Sequence, residues 1–404
     1  MTQRVVITGL GVCSSLGSDV DTFWAALCAG QSGVRSLPEL GTDEQPVVGG
    51  AVAQFAERVS DKPNKRAPDR MIQLASHAVA QALSSQRQPI PAETALLWGT
   101  GYTSIATIEA CYEAWFCHNR VRADTVPACM PAGVLPHLCN AFGLHGMSTL
   151  VSASCASGLQ AIGLAYDLLR HGVIQSAVVG SADAPLTRGM YRAWKPLRVL
   201  ASDLREPGRA CRPFSADRSG LVLAEGAAAF VLETLEHALK RDAPIFAEIS
   251  SFAATTAGGS IVAPDVAHQS ATLRLALERA QLAPGDVDYI NAHATATRIG
   301  DTAEAETIKA VFGSSAARLP VSAIKGATGH AMGASSAIET LATVLALQHQ
   351  TAPPTINWVG GDPICDLDCV PHVSRLVSIN TAVKESFGFG GSNAVLVLRR
   401  WPAN

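Results

Sequence analysis

Of ten cysteines, one stands where a strand hands over to a helix, and that placement is the clearest sign of chemistry in the chain. The run Thr149-Leu150-Val151-Ser152-Ala153 reads as a strand, Cys155 follows it, and a helix is expected over 156–170, with Ser157 and Gly158 keeping the turn uncrowded. A helix start directs unpaired N–H groups at such a sulfur. Its dipole stabilises an anion by about 0.3–2 kcal/mol, so a thiol of ordinary pKa ~8.5 is expected to fall by up to about one unit. A reactive thiolate is one reading, and one more core cysteine at a tight turn is the other.

Three further groups could converge on that sulfur. His293 ends the apolar run Asp288-Tyr289-Ile290-Asn291-Ala292, and His330 follows Gly329 on a loop that begins at Lys325. Strand-end histidines often serve only as hydrogen-bonded structural residues. A Cys/His/His zinc site is the weaker alternative, because ligand spacings of two to five residues are absent. A Cys-His-Asn hydrolase would need neither a second histidine nor a lysine. In Ser386-Phe387-Gly388-Phe389-Gly390-Gly391-Ser392-Asn393 the glycines let backbone N–H groups approach a ligand as an oxyanion hole requires, although a plain hairpin turn has the same look. Near the start, Gly9-Leu10-Gly11-Val12-Cys13-Ser14 has Ser where a dinucleotide fingerprint needs its third Gly, so no nicotinamide or flavin site is expected.

The elements that must position these groups alternate in α/β fashion. Short apolar runs at Val5-Val6-Ile7, Ala95-Leu96-Leu97, Thr149-Leu150-Val151 and Ala177-Val178-Val179 are separated by helical stretches at 20–29, 105–116 and 157–170. Strands apolar on both faces belong to sheets covered by helices on both sides. A boundary is expected near Asp242-Ala243-Pro244, which divides the chain into 1–243, with the cysteine, and 244–404, with the two histidines and the lysine. The halves echo each other: Val151-Ser152-Ala153-Ser154-Cys155 resembles Val321-Ser322-Ala323-Ile324-Lys325, and Ala95-Leu96-Leu97-Trp98-Gly99 resembles Asp288-Tyr289-Ile290-Asn291-Ala292.

Composition narrows the field. The 404 residues include 48% hydrophobic and only 16% charged, which excludes a disordered chain and predicts extra surface buried between subunits. A net charge of −3 gives no global field for nucleic acid or an anionic membrane. No signal peptide or spanning segment is expected, and ten cysteines without a CxxC pair fit a reducing, cytoplasmic setting.

Taken together, VVITGLGV, SASCASG, RPFSADRSGLVLAEGA, NAHATAT with GDTAEAE, SAIKGATGHAMGA and SFGFGGSN resemble the elongating β-ketoacyl-[acyl carrier protein] synthases, the Cys-His-His condensing enzymes of thiolase fold, over essentially the whole chain. The resemblance implies two similar α/β halves with mixed sheets layered αβαβα. It implies that Cys155 takes an acyl chain from a carrier protein, with the N–H groups of Cys155 and Phe389 as oxyanion hole and Phe389 as gate. His293 and His330 would bind the malonyl thioester carbonyl while CO₂ leaves. Lys325, paired with Glu339, would set the electrostatics around His330. Thr295 and Thr297 would hold the phosphopantetheine arm, and Phe387 would lie with them among the substrate-binding residues. Tyr102, in the loop near the expected acyl tunnel, would reshape the chain's path. No metal or redox cofactor is expected, and the implied partners are acyl carrier protein and a second ketosynthase-like subunit, in a homodimer or heterodimer. Lys62, Lys65, Arg66, Arg120, Arg122 and Arg205 would form a basic docking patch for the acidic carrier. A dedicated type II polyketide or polyene ketosynthase working beside a chain-length partner is the nearest alternative, and a non-catalytic partner subunit a more distant one. Three positions depart from the family's usual pattern: Ala294 replaces Gly, Ser154 replaces Ala, and Val262 stands at a usual Thr.

Overall fold

The computed structural model describes residues 2–42, 46–53, 67–121, 123, 125–360 and 362–401. Ten strands form its main sheet. Those of the first half are β1 (Val5–Cys13), β2 (Ala95–Gly99), β3 (Ser148–Val151), β4 (Ser176–Asp183) and β5 (Gly226–Thr234). Those of the second are β6 (Ala247–Thr256), β7 (Tyr289–Asn291), β8 (Val321–Ser322), β9 (Thr381–Gly388) and β10 (Ser392–Arg400). Six helices matter below: α1 (Arg70–Ser84), α2 (Ile105–His118), α3 (Ser157–Arg170), α4 (Val266–Arg279), α5 (Arg298–Phe312) and α6 (Gly333–His349).

The spatial order is β8-β7-β9-β10-β6-β1-β5-β4-β2-β3. Each half repeats one pattern. In the first, β2 runs parallel to β3 and β4, and β5 is antiparallel to β4 and β1. In the second, β7 runs parallel to β8 and β9, and β10 is antiparallel to β9 and β6. The sequence echoes therefore fall on equivalent strands, β2 with β7 and β3 with β8. The two five-stranded sheets are joined: Val5, Val6 and Ile7 pair antiparallel with Ile249, Glu248 and Ala247.

Because strand side chains alternate, each sheet has two apolar faces, and helices cover both. On β5, Phe230 and Leu232 face the inner layer of α3 and α6 with Leu159 and Ile338, while Val231 faces α1 with Met71 and Leu74. On β10, Leu396 and Leu398 join the inner layer, and Val395 and Val397 pack toward α4 and α5 with Leu273 and Ile308. The result is the αβαβα layering of a thiolase fold. Helix α6 is buried from Gly333 to Leu347 and exposes no face to solvent over that length, as its central place requires. It crosses α3 with backbones in contact: a Cβ at Gly158 would lie 2.9 Å from the Gly333 carbonyl oxygen. Among the described residues, no helix is long and apolar enough to cross a membrane.

Candidate active site

The pseudo-symmetry brings the C-terminal ends of the parallel strands of both halves to one place, the usual location of ligand sites in α/β sheets. From β3 the chain turns through Ser154, at φ 52°, into Cys155 and α3. The turn is tied by the Ser157 hydroxyl, which donates to the Ser154 carbonyl at 2.6 Å and accepts from the Ala153 N–H at 2.9 Å. From β7 the chain reaches His293, whose N–H, with that of Ala294, donates to the two carboxylate oxygens of Glu304 on α5, each at 2.6 Å. After β8 come Lys325 and then His330, whose N–H donates to Val222 O at 2.7 Å while its carbonyl accepts from Ala224 N–H at 2.9 Å.

These segments place His330 Nε2 3.1 Å from Cys155 Sγ. The His293 ring stands edge-on to His330, 5.6 Å between centroids at 84°, and ligand atoms of all three residues lie within 4.8 Å of one another. Lys325 Nζ donates to the His293 carbonyl and to Glu339 Oε1, and sits 3.3 Å from His293 Nδ1. An ammonium at Nδ1 makes that nitrogen an acceptor and leaves the proton on Nε2, facing the pocket. His330 Nδ1 lies 3.0 Å from the Ser335 hydroxyl, which also accepts from Ala331 N–H. Burial, then the Lys325 charge, holds both imidazoles well below their ordinary pKa, and the Lys384 charge acts in the same sense. They are neutral rings able to donate from Nε2.

The thiol itself departs from expectation. Burial pushes Cys155 up to about 11, and the opposing pull of Lys325 and the Phe389 N–H does not restore it. The reason is desolvation: the sulfur is closed in by packed side chains, and the first helical residue is Ser157, two positions beyond it. Cys155 rests as a thiol whose proton has an acceptor within reach, not as a preformed thiolate.

The glycine-rich tail is a hairpin and a wall of the site at once. Phe389–Gly391 joins β9 to β10, Gly390 and Gly391 have φ of 79° and 73°, and Gly390 N–H donates to Ile261 O at 2.7 Å. A Cβ at Gly388 would stand 3.0 Å from Ala153 O and 3.2 Å from Cys155 N, so only glycine lets this strand end lie against the cysteine turn.

Cys155, His293, His330, Thr295, Thr297, Phe387 and Phe389 line one pocket together with Val262 and Trp194. The Thr295 and Thr297 hydroxyls are 3.0 Å apart, and Thr297 caps α5. Tyr102 stands one layer back: its hydroxyl accepts from Trp194 Nε1 at 2.9 Å, and the Trp194 ring lies 5.9 Å from that of Phe389. The departures at Ser154 and Ala294 both fall at positive φ, 52° and 27°, where glycine or a small residue is easiest to hold. Ser154 Oγ also donates to Phe389 O at 3.1 Å. Of the expected docking residues, Lys62, Lys65, Arg66 and Arg122 lie outside the described residues. Arg120 is exposed beyond α2, and Arg205 is exposed and bound to Asp203 at 2.9 Å.

Several contributors were not singled out from sequence. Glu304 lies in the GDTAEAE run, and Ser335 two residues into α6. Asp183, at the end of β4, accepts from the N–H groups of Gly101 and Tyr102 at 2.9 and 3.0 Å and fixes the loop after β2. Lys384, fully buried, forms an ion pair with Glu339 at 2.9 Å. No periodicity announces these residues; each is a polar side chain whose burial depends on the other half of the fold.

Comparison with known proteins agrees with this geometry. The family description "Beta-ketoacyl synthase, N-terminal domain" matches residues 2–238, and "Beta-ketoacyl synthase, C-terminal domain" matches 246–359. Similar proteins include Nodulation protein E of Rhizobium leguminosarum bv. trifolii, 37% identical over 409 residues, covering 99% of this chain and 100% of that protein. Another is 3-oxoacyl-[acyl-carrier-protein] synthase 2 of Coxiella burnetii (strain RSA 493 / Nine Mile phase I), 37% identical over 411 residues and covering 98% and 99%. Among solved structures, a beta-ketoacyl synthase from Burkholderia phymatum STM815 matches with a TM-score of 0.91 at 31% identity over 99% of this chain and 100% of that one. The ishigamide ketosynthase/chain length factor matches with a TM-score of 0.91 at 29% identity over 100% of both chains. A type II PKS acyl-carrier protein in complex with its ketosynthase bound to the hexaketide gives 0.90 at 28%, again over 100% of both. With both halves matched and a Cys-His-His pocket at their meeting point, the chain belongs to the beta-ketoacyl synthase family of condensing acyltransferases.

Proposed function

We propose that the protein is a 3-oxoacyl-[acyl carrier protein] synthase that joins an acyl chain held on Cys155 to a malonyl unit by decarboxylative Claisen condensation. The observation that carries this is the 3.1 Å approach of His330 Nε2 to Cys155 Sγ with His293 edge-on beside it in one pocket. In loading, Sγ attacks the acyl thioester, its proton passes to His330 Nε2, and the pantetheine sulfur leaves with that proton. The oxyanion formed is met by backbone N–H groups of Cys155 and Phe389. The Ser335 hydroxyl can accept from Nδ1–H while Nε2 takes the thiol proton, or donate to Nδ1 while Nε2–H faces the malonyl carbonyl; between the two steps the ring loses its Nδ1 proton to solvent and takes one from solvent on Nε2.

In condensation the malonyl carbonyl oxygen takes hydrogen bonds from Nε2–H of His293 and His330. The C–C bond to the carboxylate breaks, CO₂ leaves, and the electron pair rests as an enolate on that oxygen. The carbanion attacks the Cys155 thioester, Cys155 thiolate leaves, and a solvent proton restores the thiol. Thr295 and Thr297 hold the pantetheine arm, Phe387 and Phe389 bound the acyl pocket, and Lys325 with Glu339 fixes the neutral state of the rings. The chemistry is assigned to side chains and backbone alone, with no metal or redox cofactor.

The carrier is an acyl carrier protein, and a second ketosynthase-like subunit completes the assembly. Fatty acid or related acyl chain elongation is the main reading, in keeping with the similarity to a 3-oxoacyl-[acyl-carrier-protein] synthase 2; type II polyketide or polyene synthesis beside a chain-length partner is the second, which the similarity to a type II PKS ketosynthase complex and a ketosynthase/chain length factor supports. The test separates half-reactions. Cys155→Ala should take up no acyl group, seen by intact-protein mass spectrometry, yet still release CO₂ from malonyl carrier protein; His293→Ala should load and fail to decarboxylate. Condensation retained by His293→Ala would overturn the assigned roles.

A further inference from the structure

Behind the two histidines the second half carries a buried cation that the proposed reaction does not use. Lys384 lies on β9 beside β7, fully buried, with Nζ 2.9 Å from Glu339 Oε2 and 3.4 Å from the carbonyl oxygens of Asn291 and Ala292. Glu339 thus stands between two ammoniums, with Lys325 on Oε1 and Lys384 on Oε2. The Oε2 contact lies outside hydrogen-bond angles, so it acts as charge more than as a directed bond. Ala292 precedes His293, so Lys384 touches the backbone that carries the ring.

We propose that Lys384 is a second positioning lysine for decarboxylation, sharing Glu339 with Lys325 and anchoring the 291–292 carbonyls that carry His293. This rests on the functional reading above and adds a residue to it. The groups facing Lys384 are Glu339 from α6, Lys325 from the turn after β8, His293 after β7, and Glu304 from α5 with Glu385 from β9 beyond. Burial and Glu304 push the Glu385 carboxyl well up. Burial pushes the Lys384 ammonium down, and the charges of Glu339 and Glu304 beside it act in the opposite sense. Without Lys384 one of the charges that hold both imidazoles down is lost, and the rings bind protons more readily. Protonation of His293 Nδ1 would set a cation against Lys325 Nζ, now 3.3 Å away, and move the ring.

The experiment uses the full chain with Lys384→Met and Lys384→Gln. Expected is a fall in kcat for malonyl carrier-protein decarboxylation of at least about tenfold with KM within about threefold. The acid limb of its pH profile should move up by about one unit, and acyl loading of Cys155, measured at a pH above that limb, should stay within about threefold. Unchanged decarboxylation, or equal loss of both half-reactions with the acid limb in place, would overturn the proposal. A substrate-free readout keeps it distinct from the functional reading: ¹⁵N NMR titration of the imidazoles should give higher ring pKa values in Lys384→Met than in the unmutated protein, and equal values overturn it even where no substrate turns over. Should neither variant fold, the unmutated protein decides, since a protonated His293 or His330 ring at about pH 6 is incompatible with the role.

Discussion

The cysteine end and the histidine end of the site occupy equivalent strand ends of two similar halves, yet are built from opposite materials. Around Cys155 the first half offers backbone, small side chains and hydroxyls: Ala153, Ser154, Ser157 and the loop fixed by Asp183. Around His293 and His330 the second half packs buried ionisable side chains, Lys325, Lys384, Glu304, Glu339 and Glu385. The difference follows from the work. A sulfur nucleophile needs close approach and an oxyanion site, which backbone provides. Neutral imidazole donors need a fixed electrostatic setting, and in a dry interior only compensated charges give one without leaving a carboxylate unpaired.

Substitutions that break this contrast should fall in order of size. His330→Ala has the largest effect, a loss of about 10²–10³ in CO₂ release from malonyl carrier protein. It should also change how the thiol responds to pH. A raised thiol pKa means less thiolate at neutral pH, so without its imidazole acceptor Cys155 should be alkylated by iodoacetamide about tenfold faster per pH unit up to about 11, whereas the intact site should show a far shallower rise. Lys325→Ala comes next: it removes one of the two lysines on buried Glu339 and leaves Lys384 on the other oxygen, so it costs at most about 3 kcal/mol and should show as a lowered thermal midpoint. Gly388→Ala should act on the cysteine side, because the new methyl meets Ala153 O and Cys155 N and pushes the Phe389 segment away. Overpacking of this kind costs about 1–3 kcal/mol, and acyl loading should suffer more than decarboxylation in parallel assays. Tyr102→Phe is smallest: losing the bond to Trp194 costs about 1 kcal/mol and should shift the preferred acyl length in a chain-length panel more than the rate.

Much of the frame was legible because it is local. Val5-Val6-Ile7 and Ala177-Val178-Val179 are strands because apolar runs on both faces demand helical cover, and the echo between 149–155 and 321–325 pointed to equivalent strands. The gathering of Cys155, His293, His330 and Lys325 was legible only through the resemblance, since no spacing links residues from opposite halves. The thiol's direction was misread because a helix-start argument sees the chain on either side of Cys155 and not the layers that bury it. Lys384-Glu385 could not be valued from sequence either: a charged pair inside a strand reads as a solvated edge unless Glu339 and Glu304 are known to face it from other elements.

Among the described residues the seam between the two five-stranded sheets is narrow, Val5 to Ile7 against Ala247 to Ile249, while α3 and α6 share one core. A polypeptide severed at that junction would yield two fragments, each with a raw strand margin and half of a greasy helical filling. Neither should survive alone, and each is the template that completes the other. Catalysis recovered by mixing them would mark the join as a zipper and not a weld.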